Sequence, residues 1–408
     1  MLFQLAFRNL RRNIRRSLIT ALAVSVGVMV LILSNTLRAG QYDDMIHASV
    51  SQLAGHVVIQ HPDYEAEQEN ELVVMNRESL VSALQSQFPT ATVTARTKMG
   101  GILASSSAPS VVGITAVAPQ SEADVSDMDG KLVAGTWVQD DKRSIVIGQN
   151  MAKTLQVDIG DKLVFTTSVE GEMNSHLYRL TGIFRTGAEE VDAFVAYASL
   201  LSSDEILGQP NTANQIAVHL ERADQTDAAK VQVQKVVDRQ QRTETVYAWP
   251  EVLPDVIAMI NVDQVSNEMI SISLMFIVAM GVLNTMLMNV LERRKEFGVL
   301  MAIGLKRFDL VKMVIMEASL LGLFGGLVGM VLGVLVSYPL VVNGLDLTQM
   351  MGEGMTINGA VSSTIMYGRY DWRWIVAYIL LSILCSVLSS LYPAWKIQSM
   401  TPVDAMRA

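Results

Sequence analysis

Glu292, Arg293, Arg294, Lys295 and Glu296 put five charged side chains in unbroken succession between two apolar runs. Phe297, Leu300, Met301 and Gly304 then fall on one face of a short helix, and Lys306 and Arg307 follow. The pattern is that of an amphipathic element whose work is contact with a folded partner. Other candidates for chemistry are sparse. Five histidines, His47, His56, His61, His176 and His219, are scattered without ligand spacing. The acidic runs at Asp43–Asp44, Glu65–Glu71 and Glu122–Asp129 lack the Asp/Asn/Gly/Glu order of a calcium loop and read as solvated faces. No GxxxxGK[ST], HExxH, CxxC or GxSxG occurs. No catalytic residue, metal site, bound cofactor or nucleic-acid surface is expected, so energy for any work must enter from another polypeptide.

The elements that position the charged run are membrane helices. Half of the 408 residues are hydrophobic, and four uncharged windows, Ser17–Leu37, Ile270–Val290, Ala318–Val342 and Trp374–Trp395, are each long enough to cross about 30 Å of hydrocarbon. Spans are set at 17–39, 270–291, 318–342 and 374–395. The first exceeds a signal-peptide core and lacks a small-x-small site, so a retained anchor is expected. Residues 40–269 carry 32 Asp and Glu against 15 Lys and Arg, whereas the other 178 residues carry 8 against 16. The positive-inside rule puts both ends and the charged run in the cytoplasm and the acidic domain outside. Cys385 is the only cysteine, so no intrachain disulfide forms.

Residues 1–16 place Phe3, Phe7, Leu10 and Ile14 opposite five arginines, the pattern of an interfacial helix or a topology flag. The 3.6-residue periodicity continues past the first span through Leu53, and it precedes the second from Pro254, predicting an unbroken helix to Leu291 with about half projecting outside as a stalk. Between the stalks, nine short β-rich runs, among them "GHVVIQ", "KLVFTTSV" and "QIAVHLE", alternate with helical patterns near Arg77–Phe88, Gln149–Leu155 and Ala223–Gln240. The fold class expected is a four-helix membrane protein with a large α+β outer domain inserted between helices 1 and 2, in two lobes, with a lobe of about 119–214 set into the flanking βα units. Residues 292–312 form the cytoplasmic element, 343–373 an outer loop and 396–408 a cytoplasmic tail. Gly322, Gly325, Gly326, Gly329 and Gly333 line one side of the third span, a stripe for close helix packing. No span window contains an interior Asp, Glu, Lys or Arg.

The stretch "ERRKEFGVLMAIG", Glu292–Gly304, resembles the coupling-helix signature E-R-x-x-E-[IF]-G-[VI]-x-x-A-[IV]-G of ABC transporter permeases of the MacB, lipoprotein-releasing and FtsX-like superfamily. "YPAWKIQSMTPVDAMR", Tyr392–Arg407, is similar to that family's tail, and "GTWVQDDKRSIVIGQNMAKTLQVDIGDKLVF" to an outer-domain pattern. The resemblance implies a permease subunit in a bacterial inner membrane, working with two copies of a separate ATPase and a second permease, an identical copy or a paralogue. ATP and magnesium are expected on the ATPase. It further implies that Glu292, Arg293, Glu296, Phe297, Gly298, Ala302 and Gly304 form the ATPase-docking element, with Pro393, Pro402 and Arg407 at the cytoplasmic end of the fourth span. The cargo class is a lipoprotein, lipid or other amphiphile among membrane lipids, with a possible periplasmic or outer-membrane partner. The extended hook of the carrier-recruiting lipoprotein-releasing subunit has only a short "EGEMN" turn as counterpart, while "GHVVIQHPDY", Gly55–Tyr64, is reminiscent of lipoprotein-releasing permeases. The alternatives are an FtsX-like transmitter that activates a cell-wall hydrolase, and a sensor or scaffold with no ATPase.

Overall fold

The computed structural model describes residues 14–67, 69–351, 354–357 and 359–398, together with Arg8 and Arg12. The amphipathic segment expected over 1–16 and the tail residues 399–408, with Pro402 and Arg407, fall largely outside them. The chain divides into a helical unit (1–42, 261–345 and 366–408) and a sheet unit (43–260 and 346–365).

Among the described residues, four helices are long and apolar enough to cross a membrane: Ile14–Ala54, which includes a final π turn, Pro254–Glu292, Arg307–Val342 and Trp372–Ile397. The second runs unbroken for 39 residues from a proline in its first turn, where the missing N–H costs nothing. The glycines of the third helix separate into two seams. A Cβ on Gly325, Gly329 or Gly333 would lie 2.6–2.9 Å from Val24, Ser25 or Ile32 of the first helix, and one on Gly322 or Gly326 would lie 2.6–2.7 Å from Ser386 or Ser382 of the fourth. With no side chain in the way, backbones approach closely enough for Ser25 Oγ to donate to the Gly325 carbonyl at 2.9 Å and Ser382 Oγ to Gly322 at 3.1 Å.

The sheet unit contains β1 (Val57–Gln60), β2 (Thr92–Ala104), β3 (Pro109–Val117), β4 (Leu132–Gly135), β5 (Ser144–Gly148), β6 (Lys162–Val169), β7 (Glu172–Phe184), β8 (Val195–Ser199), β9 (Gln215–His219) and β10 (Thr245–Ala248). Strands β2, β3, β8, β5, β7 and β6 pair in succession and β6 returns to β2, which closes a ring. β2 bridges two regions: Thr92–Arg96 pairs with β9, which continues to β1 and β10, while Ile102–Ala104 pairs with β6. Gly101 permits the change of partner, since a Cβ there would sit 2.5 Å from the Phe165 ring and the Thr166 carbonyl. Strands from 119–214 therefore share one hydrogen-bonded network with those of the flanking segments. Inward residues alternate along β6 (Leu163, Phe165, Thr167, Val169), and with Tyr178 and Leu180 of β7 they fill the ring. Residues 346–365 also belong here: the Gln52 side chain donates to the Val361 carbonyl at 2.9 Å and accepts from its N–H at 2.8 Å.

Candidate functional site

The charged run forms a knot of ion pairs at one end of the helical unit. The second helix ends at Glu292, Arg293 breaks the helix, and a short helix follows over Arg294–Ala302. The Arg293 guanidinium joins three elements. Its Nη1 donates to Glu317 Oε1 of the third helix at 2.9 Å, its Nε to Glu296 Oε2 at 3.1 Å, and its centre lies 5.1 Å from the Phe297 ring. Glu317 is 3% exposed and Phe297 fully buried, so the Arg293–Glu317 pair sits away from water, where removing one partner costs the other its charge-assisted bond. The first helix is tied in from the other side. Arg16 grips Glu292 with both terminal nitrogens at 2.6 and 2.8 Å and donates to Asn289 at 3.3 Å, and Arg12 pairs with Glu296. Burial works to raise the Glu296 pKa, but the hydrogen bonds from Arg293 and Arg12 outweigh it and hold the carboxyl below its ordinary range.

Beneath the charges, Phe297 packs in a cluster with Val290, Leu310, Val314, Ala394 and Ile397, with Leu300 and Met301 against its edge. The face that carries Phe297, Leu300 and Met301 turns to the third and fourth helices, because an apolar face beside Leu310 and Val314 leaves water there. The opposite face carries exposed Lys295, Val299, Ala302 and Ile303, the last 80% exposed. Gly304, at φ +103°, ends the helix. Leu305 N–H donates to the Leu300 carbonyl at 3.0 Å and Gly304 N–H to Met301 at 3.1 Å, a Schellman closure that needs a residue at ease in the left-handed region. Of the residues assigned to docking, Glu292, Arg293, Glu296, Phe297 and Gly298 are thus engaged or buried within the chain, and Ala302 and Gly304 are exposed. Sequence reasoning missed Glu317, one residue before an uncharged window, and the pairing of Arg16, counted only among the five arginines of the N-terminal segment.

A second constellation lies in the sheet unit, where the last turn after Ile14–Ser49 widens into a π-helix over Val50–Ala54. Its end carbonyls meet two cations and an amide: Arg96 Nη2 donates to Ser51 O at 2.5 Å, Lys98 Nζ to Leu53 O at 2.8 Å and the neutral Gln215 Nε2 to Ala54 O at 2.8 Å. Positive charge at a helix C-terminus offsets the macrodipole. Arg96, fully buried, is itself clamped by Glu122 through two bonds of 2.8 and 2.9 Å. Burial and the neighbouring Arg96 charge pull the Lys98 pKa down to about 8. No cluster of three or more metal-ligating side chains occurs among the described residues.

Four membrane helices carrying an α+β unit between the first two define a multi-pass membrane protein with one large extramembrane domain. The model of the MacB-like periplasmic core domain matches residues 17–236, and that of the FtsX-like permease C-terminal domain matches 268–402. The chain belongs to this family of FtsX-like permeases with a MacB-like periplasmic core domain. An uncharacterized ABC transporter permease of Methanocaldococcus jannaschii is 26% identical over 282 residues, 67% of this chain and 64% of that protein. The lipoprotein-releasing system transmembrane protein LolC of Xylella fastidiosa is 22% identical over 308 residues, 71% of each chain. The macrolide export ATP-binding/permease protein MacB of Escherichia coli is 25% identical over 290 residues, 68% of this chain but 41% of that protein. The chain therefore spans just under two-thirds of the first relative and about two-fifths of the exporter.

Proposed function

We propose that the chain is the permease subunit of an ABC transporter in a bacterial inner membrane, driven by a separate ATPase present in two copies and paired with a second permease, identical or paralogous. ATP and magnesium bind the ATPase. Closure of the ATPases moves the short helix 294–302, and the long helices Ile14–Ser49 and Pro254–Glu292 relay that motion to the periplasmic domain, which extracts or exports a lipoprotein, lipid or other amphiphile. A periplasmic or outer-membrane partner completes the route for a cargo leaving the inner membrane.

The observation that carries this reading is the ion-paired knot. Glu296 of the short helix pairs with Arg12 of the first helix segment and with Arg293, which also holds Glu317 of the third helix, so a push on the exposed Val299–Ile303 face cannot be absorbed by a slack loop. The family supplies the ATPase as the source of that push. The test is co-purification with the co-expressed ATPase and measurement of ATP turnover. Ile303→Asp is expected to lower association at least about tenfold, the cost of burying a charge in a docked apolar face. Undiminished association and turnover in this variant, or a pull-down of the wild type that recovers no ATPase, would overturn the proposal.

A further inference from the structure

At the opposite end of the helical unit, a cleft of about 800 Å³ opens between the first, second and fourth membrane helices. Its lining changes character with depth. Arg38, Glu268, Arg369, Asp371 and Arg373 surround the mouth, whereas Ile272 and Leu381 lie toward the membrane interior. From Gln264 to Ile272 the second helix descends eight residues, about 12 Å at 1.5 Å per residue, close to the thickness of a lipid headgroup and its glycerol. Trp372 and Trp374 flank the opening, exposed by 60% and 41%, where tryptophan marks the boundary between water and hydrocarbon.

The charges at the mouth favour an anion. Three guanidiniums face two carboxylates, and the Asp371 carboxylate already accepts from the Arg373 backbone N–H at 3.0 Å as the cap of the fourth helix. Arg38 is positioned by Asn35, whose Oδ1 accepts from Nη2 at 2.9 Å, and lies 5.9 Å from the Tyr42 ring centre. Its other terminal nitrogen, Nη1, is buried and makes no hydrogen bond of good geometry among the described residues, with the Tyr378 hydroxyl of the same cleft beside the guanidinium. A buried guanidinium N–H left unmade is costly, and a phosphate oxygen is the acceptor that guanidinium geometry suits best.

We propose that this cleft is a binding site for a phospholipid of the outward-facing leaflet, its phosphate held by Arg38 with Arg373 and its acyl chains descending past Ile272 and Leu381. A polar mouth above an apolar floor fits one molecule that carries both characters, and neither a soluble anion nor a bare hydrocarbon satisfies both ends. The proposal rests on neither the ATPase nor the cargo.

The test is native mass spectrometry and lipid extraction of the full chain reconstituted with phosphatidylglycerol, for the wild type, Arg38→Gln, Arg373→Gln and the cytoplasmic-end control Arg15→Gln. The two cleft variants are expected to retain about tenfold less phospholipid, the control to match the wild type, and added phosphatidylglycerol to raise the melting temperature of the wild type and control only. Arg373, at the exposed mouth, keeps the test decisive if Arg38→Gln fails to fold. Equal retention by wild type and Arg373→Gln would overturn the proposal. So would equal stabilisation by inorganic phosphate alone, which would leave an anion site, or displacement of the lipid by a phosphate-free acylated peptide at equal concentration, which would leave an acyl-chain site.

Discussion

Arg293 is held on three sides by Glu317, Glu296 and the Phe297 ring, and this fixes what its substitution should do. Arg293→Met leaves Glu317 buried without its arginine partner, so a loss of about 3–5 kcal/mol is expected, read as a fall in the denaturant midpoint of the purified protein. The double variant Arg293→Met/Glu317→Leu should recover much of that loss, since two apolar groups replace the pair. The outer pair behaves differently. Arg16 and Glu292 are more than a third exposed, so, with the ATPase proposed above, Glu292→Arg alone should weaken ATP turnover more than stability, and the swap Arg16→Glu/Glu292→Arg should restore turnover; failure of the swap would mean that Glu292 itself meets the proposed ATPase. At Gly304 the backbone lies at φ +103°, and Gly304→Ala should cost about 1–2 kcal/mol. The run of charges, the glycine and the short helix were legible in the sequence from residue order alone. The direction of Phe297 was not, because helical periodicity identifies an apolar face without saying whether the same chain covers it.

The third helix shows the same division between pattern and placement. Its glycines fall on one stripe, and that stripe is plain in the sequence. That Gly325, Gly329 and Gly333 serve the first helix while Gly322 and Gly326 serve the fourth depends on which neighbours lie to either side, and spacing carries no such information. Gly329→Leu is expected to abolish a monodisperse fold, as its Cβ alone would come 2.6 Å from the Ser25 carbonyl, whereas Gly281→Leu, with open space around it, should leave the size-exclusion profile unchanged. In the sheet unit the alternation along β6 and the apolar run of β5 were readable. β4 was missed because Leu132–Gly135 is short and mostly exposed, without the alternating pattern that marks a half-buried strand. Closure of the ring was also hidden, since β2 serves β9 at its start and β6 at its end, and local sequence does not announce a change of partner.

At the scale of the whole molecule, the periplasmic unit should be acid-sensitive. Burial, reinforced by the nearby His47 charge, lowers the His56 pKa to about 4, and burial, with the Arg96 charge next, puts His219 well below its ordinary value. His56 Nδ1 accepts from the Leu220 N–H at 3.1 Å, as a neutral ring does. A folded-state pKa below the unfolded value means that the unfolded chain binds protons first, so stability is full above about pH 6.5 and declines as pH falls toward 4. Melting temperature measured from pH 7.5 to 4.5 should drop, and His56→Gln should flatten the slope; a flat wild-type profile would contradict the reading. The Gln52–Val361 bridge carries a consequence for biogenesis. A nascent chain makes Gln52 early and must still thread the second and third crossings before Val361 leaves the ribosome. The exported domain can therefore finish folding only after most of the membrane anchor has been inserted, and a polypeptide stalled halfway would retain an unlatched, protease-accessible lobe that quality control can recognise.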